Sequence, residues 1–125
     1  MEIDIQPKMA RAQIHMVFIV VPRFNIATLI TMIETLRIAN YLAPTSTFSW
    51  EVASFDGSKI TASNGMTATI KTANDNLEPA EFAFILGSWG TEHYHNQRLT
   101  AWLRKRARAG ERICGVELGS YIIAR

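Results

Sequence analysis

Glu117 is the residue of this chain whose setting most resembles a site of chemistry. It stands at the centre of Ile113-Cys-Gly-Val-Glu-Leu-Gly-Ser120, where a strand-like run enters a helix through a turn flanked by Gly115 and Gly119. In such a turn the apex residue is held in a strained backbone conformation and points into the space above the sheet, and the amides after it face the same space. Serine or cysteine at the apex attacks a carbonyl. Glutamate is a poor acyl acceptor and, ionised at neutral pH, repels a carboxylate or oxyanion. The plainer alternative is a solvated glutamate at an ordinary strand-helix junction.

Other groupings carry less. Cys114 lies three residues before the apex, inside the expected strand, and is read as a small core residue rather than a reactive thiol. His93 and His95, with Glu92 beside them, have a spacing that reaches one metal ion on an extended loop, but no third ligand is evident and a solvated loop is preferred. Six of the 13 basic residues fall between Arg98 and Arg112. Without a helix-turn-helix pairing or a polar readout pattern, that stripe is read as a solvated helix face. Gly87-Ser-Trp-Gly90 could present backbone N–H groups or the Trp89 indole to a small ligand, with cation–π attraction favouring a cation. Trp50 and Trp102 are read as core.

These residues need elements to position them. Ile14-His-Met-Val-Phe-Ile-Val-Val21, closed by Pro22, reads as a strand buried on both faces of a parallel sheet. Asn25 is suited to cap a helix of about four turns ending near Asn40, with Ile26, Leu29, Ile30, Ile33, Leu36 and Ile38 at helical spacing. After a Pro44 loop, Phe48–Phe55 alternates as a half-buried strand. Residues 60–71 look like one or two short strands broken at Ser63-Asn64-Gly65.

Phe82–Leu86 gives a further buried strand. Asn96–Ala109 gives a helix with Leu99, Trp102, Leu103 and Ala107 inward, its basic residues mostly outward and Gly110 as its stop. Arg112–Val116 is the last strand, and Leu118–Arg125 begins a helix that runs off the end. This alternation predicts an α/β fold with a mostly parallel sheet, whose ligands collect at the carboxyl ends of the strands. Those ends are Arg23-Phe24-Asn25, Gly87–Gly90 and Gly115–Gly119.

Length and charge set bounds. The 125 residues, 48% hydrophobic and 19% charged, suit one packed domain. Residues 13–125 are assigned to it and residues 1–12 to a flexible leader. Thirteen basic residues against 11 acidic ones leave a formal charge of +2, too little to draw in nucleic acid or an anionic membrane. One cysteine excludes an intrachain disulfide framework and any zinc site of several thiolates. Met16–Val21, the most apolar run, is about a third of the ~20 residues a membrane span needs. The expectation is a cytoplasmic protein without membrane attachment, metal or cofactor.

Several segments together resemble a known family: Val21-Pro-Arg-Phe-Asn25, Met32-Ile-Glu-Thr-Leu-Arg-Ile-Ala-Asn40, Trp50-Glu-Val-Ala-Ser, Ala62-Ser-Asn-Gly65 and Gly115-Val-Glu-Leu-Gly-Ser-Tyr-Ile-Ile-Ala124. They are similar to the amino-terminal ligand-sensing domain of GlxA-like AraC-family transcriptional regulators. That domain belongs to the DJ-1/PfpI-like branch of the class I glutamine amidotransferase-like superfamily. The resemblance spans Ile14 to the last residue and implies a flavodoxin-like three-layer sandwich, truncated at its carboxyl end.

Two departures bear on catalysis. Where active superfamily members carry the elbow cysteine this chain has Glu117, and where they carry an acidic residue early in the first helix it has Thr28. The resemblance therefore implies a bacterial, non-catalytic, small-molecule-sensing domain. Its site would comprise Phe24, Asn25, Ser88, Trp89, Glu117 and Leu118, with Glu117 recognising an amine or quaternary ammonium group. It further implies a homodimer that meets DNA only through a carboxy-terminal helix-turn-helix domain outside these residues. The alternatives are a PfpI-like hydrolase or amidase, using Glu117 as base or Cys114 as nucleophile, and a scaffold that only dimerises.

Overall fold

The computed structural model describes residues 13–43, 47–74 and 76–125. The expected leader, residues 1–12, and residues 44–46 of the expected loop lie outside them.

The first strand, β1 (Ile14–Val20), leads through Pro22 into helix α1 (Ile26–Leu42) and returns as β2 (Phe48–Ser54). A short hairpin, β3 (Lys59–Thr61) and β4 (Thr67–Thr69), stands apart from the sheet, and β5 (Lys71–Thr72) rejoins it. Then come β6 (Phe82–Gly87), one 3-10 turn at Thr91–His93, α2 (Gln97–Arg108), β7 (Arg112–Glu117) and α3 (Ser120–Ile123). The five-stranded sheet has the order β5-β2-β1-β6-β7, with every pairing parallel. The α/β fold with a mostly parallel sheet expected from the sequence is therefore present.

The continuous apolar run of β1 exists because both faces of the sheet are covered. On one side Phe18, Val20 and Leu86 pack with Phe24, Leu29 of α1, and Ile60 and Ala62 of the hairpin. On the other, Val17, Ile19, Ala53 and Ile85 meet Leu99, Trp102 and Leu103 of α2 and Ile122 of α3. The chain moves from β1 to β2 on one side and, through β6, to the other. The strand order thus reverses beside β1, and the carboxyl ends of β1 and β6 are where folds of this kind place their ligands.

Both helix starts follow from asparagine. The Asn25 side chain accepts from the Ala27 and Thr28 amides at 3.0 and 3.3 Å, and Asn96 accepts from Arg98 and Leu99. Helix α1 continues to Leu42, two residues past the expected end.

Three details differ from expectation. The two-residue strand β5 was not foreseen, being too short to show a period. Helix α3 is a single turn. In α2 the inward residue is Arg106, 8% exposed, whereas Ala107 is exposed. The Arg106 guanidinium donates to the Leu77 and Glu78 carbonyls, pairs with Glu111 at 2.9 Å and lies 4.7 Å from the centre of the Trp102 ring. Complete pairing is what lets a charge replace alanine on the inner face.

Candidate functional site at the strand ends

The turn between β7 and α3 holds Glu117 at φ +52°, the left-handed region that L-residues other than asparagine and aspartate seldom occupy. Its flanking glycines are required by space. A Cβ on Gly119 would lie 1.9 Å from the Ile85 carbonyl oxygen, and one on Gly115 would lie 2.6 Å from the Ser120 Cα. The Gly119 amide donates to the Val116 carbonyl at 2.9 Å, and the Leu118 amide to the Gly87 carbonyl at 3.1 Å. The bend is thereby locked to the end of β6.

The Glu117 carboxylate reaches the first turn of α1. Its Oε1 accepts from Asn25 Nδ2 at 3.0 Å and from Thr28 Oγ1 at 2.7 Å. Among the described residues Oε2 has no hydrogen-bond partner. One oxygen is anchored and the other is available.

The loop after β6 emerges next to this bend, since Gly87 and Glu117 are register partners. Ser88 is buried, whereas Trp89 is 70% exposed. Thr91 closes the loop through its amide to the Ser88 carbonyl, yet its buried hydroxyl has no partner among the described residues. Gly87 has no room for a Cβ, which would meet Thr91 Oγ1 at 2.5 Å.

Of the six residues named from sequence, Asn25 and Glu117 touch directly, and Leu118 is tied to the Gly87 carbonyl, just ahead of Ser88 and Trp89. Phe24 is fully enclosed. Its ring is fully buried in the core beside α1, with no surface to offer a ligand in this conformation. Four cavities of about 400, 240, 320 and 140 Å³ lie along α2, and none of the four is lined by Glu117. The elbow itself is open to solvent.

Two residues at this end were not selected from sequence. Thr28 was read only as a missing acid, whereas it binds Glu117. Arg23, at φ +68°, donates its amide to the Thr61 carbonyl and extends its guanidinium alongside Gly90. Its pattern carries no signal, because nothing in Pro22-Arg23 announces a left-handed arginine.

A second polar cluster lies toward the opposite end of the sheet. His15 of β1 bonds Ser49 through Nδ1 at 2.7 Å and Glu51 through Nε2 at 2.8 Å. Lys71 of β5 and the Glu78 amide also donate to Glu51. Burial raises the Glu51 pKa, but these hydrogen bonds outweigh it and hold the carboxyl at about 2. Near α2, burial and then the hydrogen bond to Asp56 keep the Tyr94 phenol above its ordinary range. Cys114 is half-buried on β7, and the His93 ring is exposed beside Glu92 at 3.7 Å. Among the described residues no helix is long and apolar enough to cross a membrane.

A parallel sheet with helices on both faces and a glycine-flanked strand-helix elbow define an α/β domain with the ThiJ/PfpI and DJ-1 fold. Solved proteins of those classes superpose on the chain with TM-scores of 0.60 to 0.70. A solved AraC family transcriptional regulator from Pseudomonas putida superposes better, with a TM-score of 0.80 at 20% identity over 90% of this chain and 69% of that one.

No family model matches the chain. Its sequence relatives include two Pseudomonas aeruginosa proteins. The HTH-type transcriptional regulator GbdR is 29% identical over 86% of this chain and 29% of its own length. The HTH-type transcriptional regulator CdhR is 30% identical over 86% of this chain and 32% of its own. The chain thus spans about a third of the length of these relatives. Both relatives are HTH-type transcriptional regulators and the solved Pseudomonas putida protein is an AraC family regulator, so the resemblance drawn from the sequence is borne out.

Proposed function

We propose that the chain is a non-catalytic, small-molecule-sensing domain of an AraC-type transcription regulator. The observation that carries this reading is Glu117 itself. At the elbow, where an attacking group would stand, the chain presents a carboxylate already held by Asn25 and Thr28. A glutamate so bonded is a poor nucleophile and a good anchor for a cation.

The ligand class is an amine or quaternary ammonium compound. Glu117 supplies the charge, the exposed Trp89 face a cation–π wall, and Asn25, Ser88 and Leu118 the rim. Because the site is open, a ligand would gain enclosure by drawing the 87–90 loop or a second subunit against it. Binding would bias the arrangement of a homodimer in the cytoplasm, and with it helix-turn-helix segments of the kind named in the relatives. DNA contact belongs to those segments, since the basic residues of α2 are partly used internally through Arg106.

Calorimetric titration against a panel of amines, betaines and amino acids tests this reading. Saturable heat that is lost in Glu117→Gln is expected. A silent panel, or binding indifferent to Glu117→Gln, would overturn it. Turnover of an amide that depends on Cys114 would favour the hydrolase instead.

A further inference from the structure

The largest of the four cavities along α2, about 400 Å³, lies on the α2 side of the sheet. The Glu117 carboxylate is directed the other way, toward α1. A hollow of this size suits a small molecule. Its walls are apolar where Ile122 of α3, Ala101 of α2 and Tyr94 line it, and Ile122 belongs to the core on that side. Its mouth carries His95, Arg104 and Arg125, all of them exposed. None of its lining residues is acidic.

Arg104 makes no hydrogen bond or ion pair with any described residue, so the donor fork of its guanidinium is free. Arg125 donates to the Glu92 and Tyr94 carbonyls, which ties it to the mouth with further N–H groups unused. The carboxylates of this region are engaged elsewhere. Asp56 accepts from the Tyr94 hydroxyl at 2.6 Å and from the Asn96 amide at 3.5 Å, and Glu92 lies 3.7 Å from the His93 ring nitrogen. Two guanidinium groups therefore overlook an apolar hollow with no described carboxylate paired to either.

We infer that this cavity is a second ligand site, and that it takes a carboxylate carrying a short apolar body. Arg104 grips both carboxylate oxygens through its planar fork, and His95 and Arg125 add N–H donors at the mouth. The apolar body lies against Ile122, Ala101 and Tyr94, where it leaves water. Inorganic phosphate satisfies the mouth but gives the walls nothing to bury. An amine meets like charge at the mouth. The inference does not depend on the amine reading of Glu117, because the two sites lie on opposite faces of the sheet and take opposite charges.

NMR titration of the isotope-labelled full chain with sodium butyrate, at constant ionic strength, is the test. Saturable shifts centred on the amides of Ala101, Arg104 and Ile122 are expected. Arg104→Gln should weaken binding about tenfold or more, and Arg104→Lys by less. Ala101→Leu, which fills the hollow from an exposed position, should abolish it. Circular dichroism should show the fold unchanged in these surface variants. Inorganic phosphate should bind about tenfold more weakly than butyrate, and n-butylamine should not bind here. No saturable shift at butyrate concentrations on the order of 50 mM overturns the proposal. So does binding indifferent to Arg104→Gln or Ala101→Leu, phosphate binding as tight as that of butyrate, or shifts centred on Glu117 that vanish in Glu117→Gln. Butyrate binding that survives Glu117→Gln supports a separate site. A silent amine panel would therefore leave this inference standing, and a silent butyrate titration would leave the sensor reading standing.

Discussion

Thr28 Oγ1 donates a 2.7 Å hydrogen bond to Glu117 Oε1, joining residues 89 apart in sequence. The resemblance marks these two positions as those where active relatives of the fold hold an acid and a sulfur. Here the acid stands at the elbow and a hydroxyl faces it from the helix. The two substitutions, read separately from the sequence as two losses, form one contact. In this chain the pair holds a carboxylate in place.

The backbone of Glu117 gives the first prediction. At φ +52° glutamate bears strain on the order of 1 kcal/mol, which glycine does not. Glu117→Gly should therefore remain within about 1 kcal/mol of the wild type, because relief of strain offsets two exposed hydrogen bonds and added chain entropy. Glu117→Val, β-branched in the same conformation, should lose about 2 kcal/mol or more. Thermal denaturation measures both. Equal effects would mean that the residue is not at a left-handed apex. Amine binding should vanish in either variant.

The glycines around the apex should differ from glycines elsewhere. A Cβ on Gly119 would stand 1.9 Å from a backbone oxygen of β6, which cannot move without disturbing the sheet. Gly119→Ala should cost about 3 kcal/mol or more in urea unfolding. Gly57, at φ +103° with nothing within 4 Å of a Cβ, should lose only about 1 kcal/mol as alanine. A mild Gly119→Ala would mean that the elbow is not packed on Ile85.

How far the sequence carried depends on where the signal was local. β1 was legible because burial on both faces writes one apolar run, α1 because an asparagine cap sits next to helical spacing, and α2 because its apolar residues recur at helical spacing up to a glycine stop. The Gly-x-Glu-x-Gly turn was legible because its geometry needs glycine within a few residues. The burial of Phe24 was not legible, because an aromatic at a strand end reads alike whether it turns to the core or to the surface. Arg106 was misplaced because its pairing groups, the carbonyls of Leu77 and Glu78, belong to a distant loop and backbone acceptors leave no trace in composition. The bond from Thr28 to Glu117 needs the parallel sheet to be folded before either residue has a neighbour.

Arg106 can be tested directly. Its guanidinium satisfies two carbonyls and Glu111 at once, with side-chain exposure of 9% for both ionic partners. Arg106→Met should destabilise the fold by about 3 kcal/mol, because Glu111 and both carbonyls lose their donor in a buried setting. Arg106→Lys should recover less than half of that, since one ammonium cannot fork to three acceptors. Double-mutant cycles with Glu111→Gln would separate the ionic part. A cost below about 1 kcal/mol for Arg106→Met would show that the cluster is solvated.

The opposite end of the sheet predicts the response to acid. Glu51 is held at a pKa of about 2 against an ordinary 4.5 by Lys71, His15 and the Glu78 amide, despite the opposing effect of burial. A carboxyl whose pKa is depressed on folding stabilises the protein above its unfolded pKa, and that contribution is lost as pH falls through the folded value. The window for this group therefore runs from about 4.5 down to about 2. Wild type should lose on the order of 1 to 2 kcal/mol across it, after allowance for solvent screening at this half-open site. Glu51→Gln should be less stable at pH 7 and lack that part of the acid dependence. Urea unfolding at a series of pH values compares the two, and parallel profiles would show that the network around His15 does not hold Glu51 ionised.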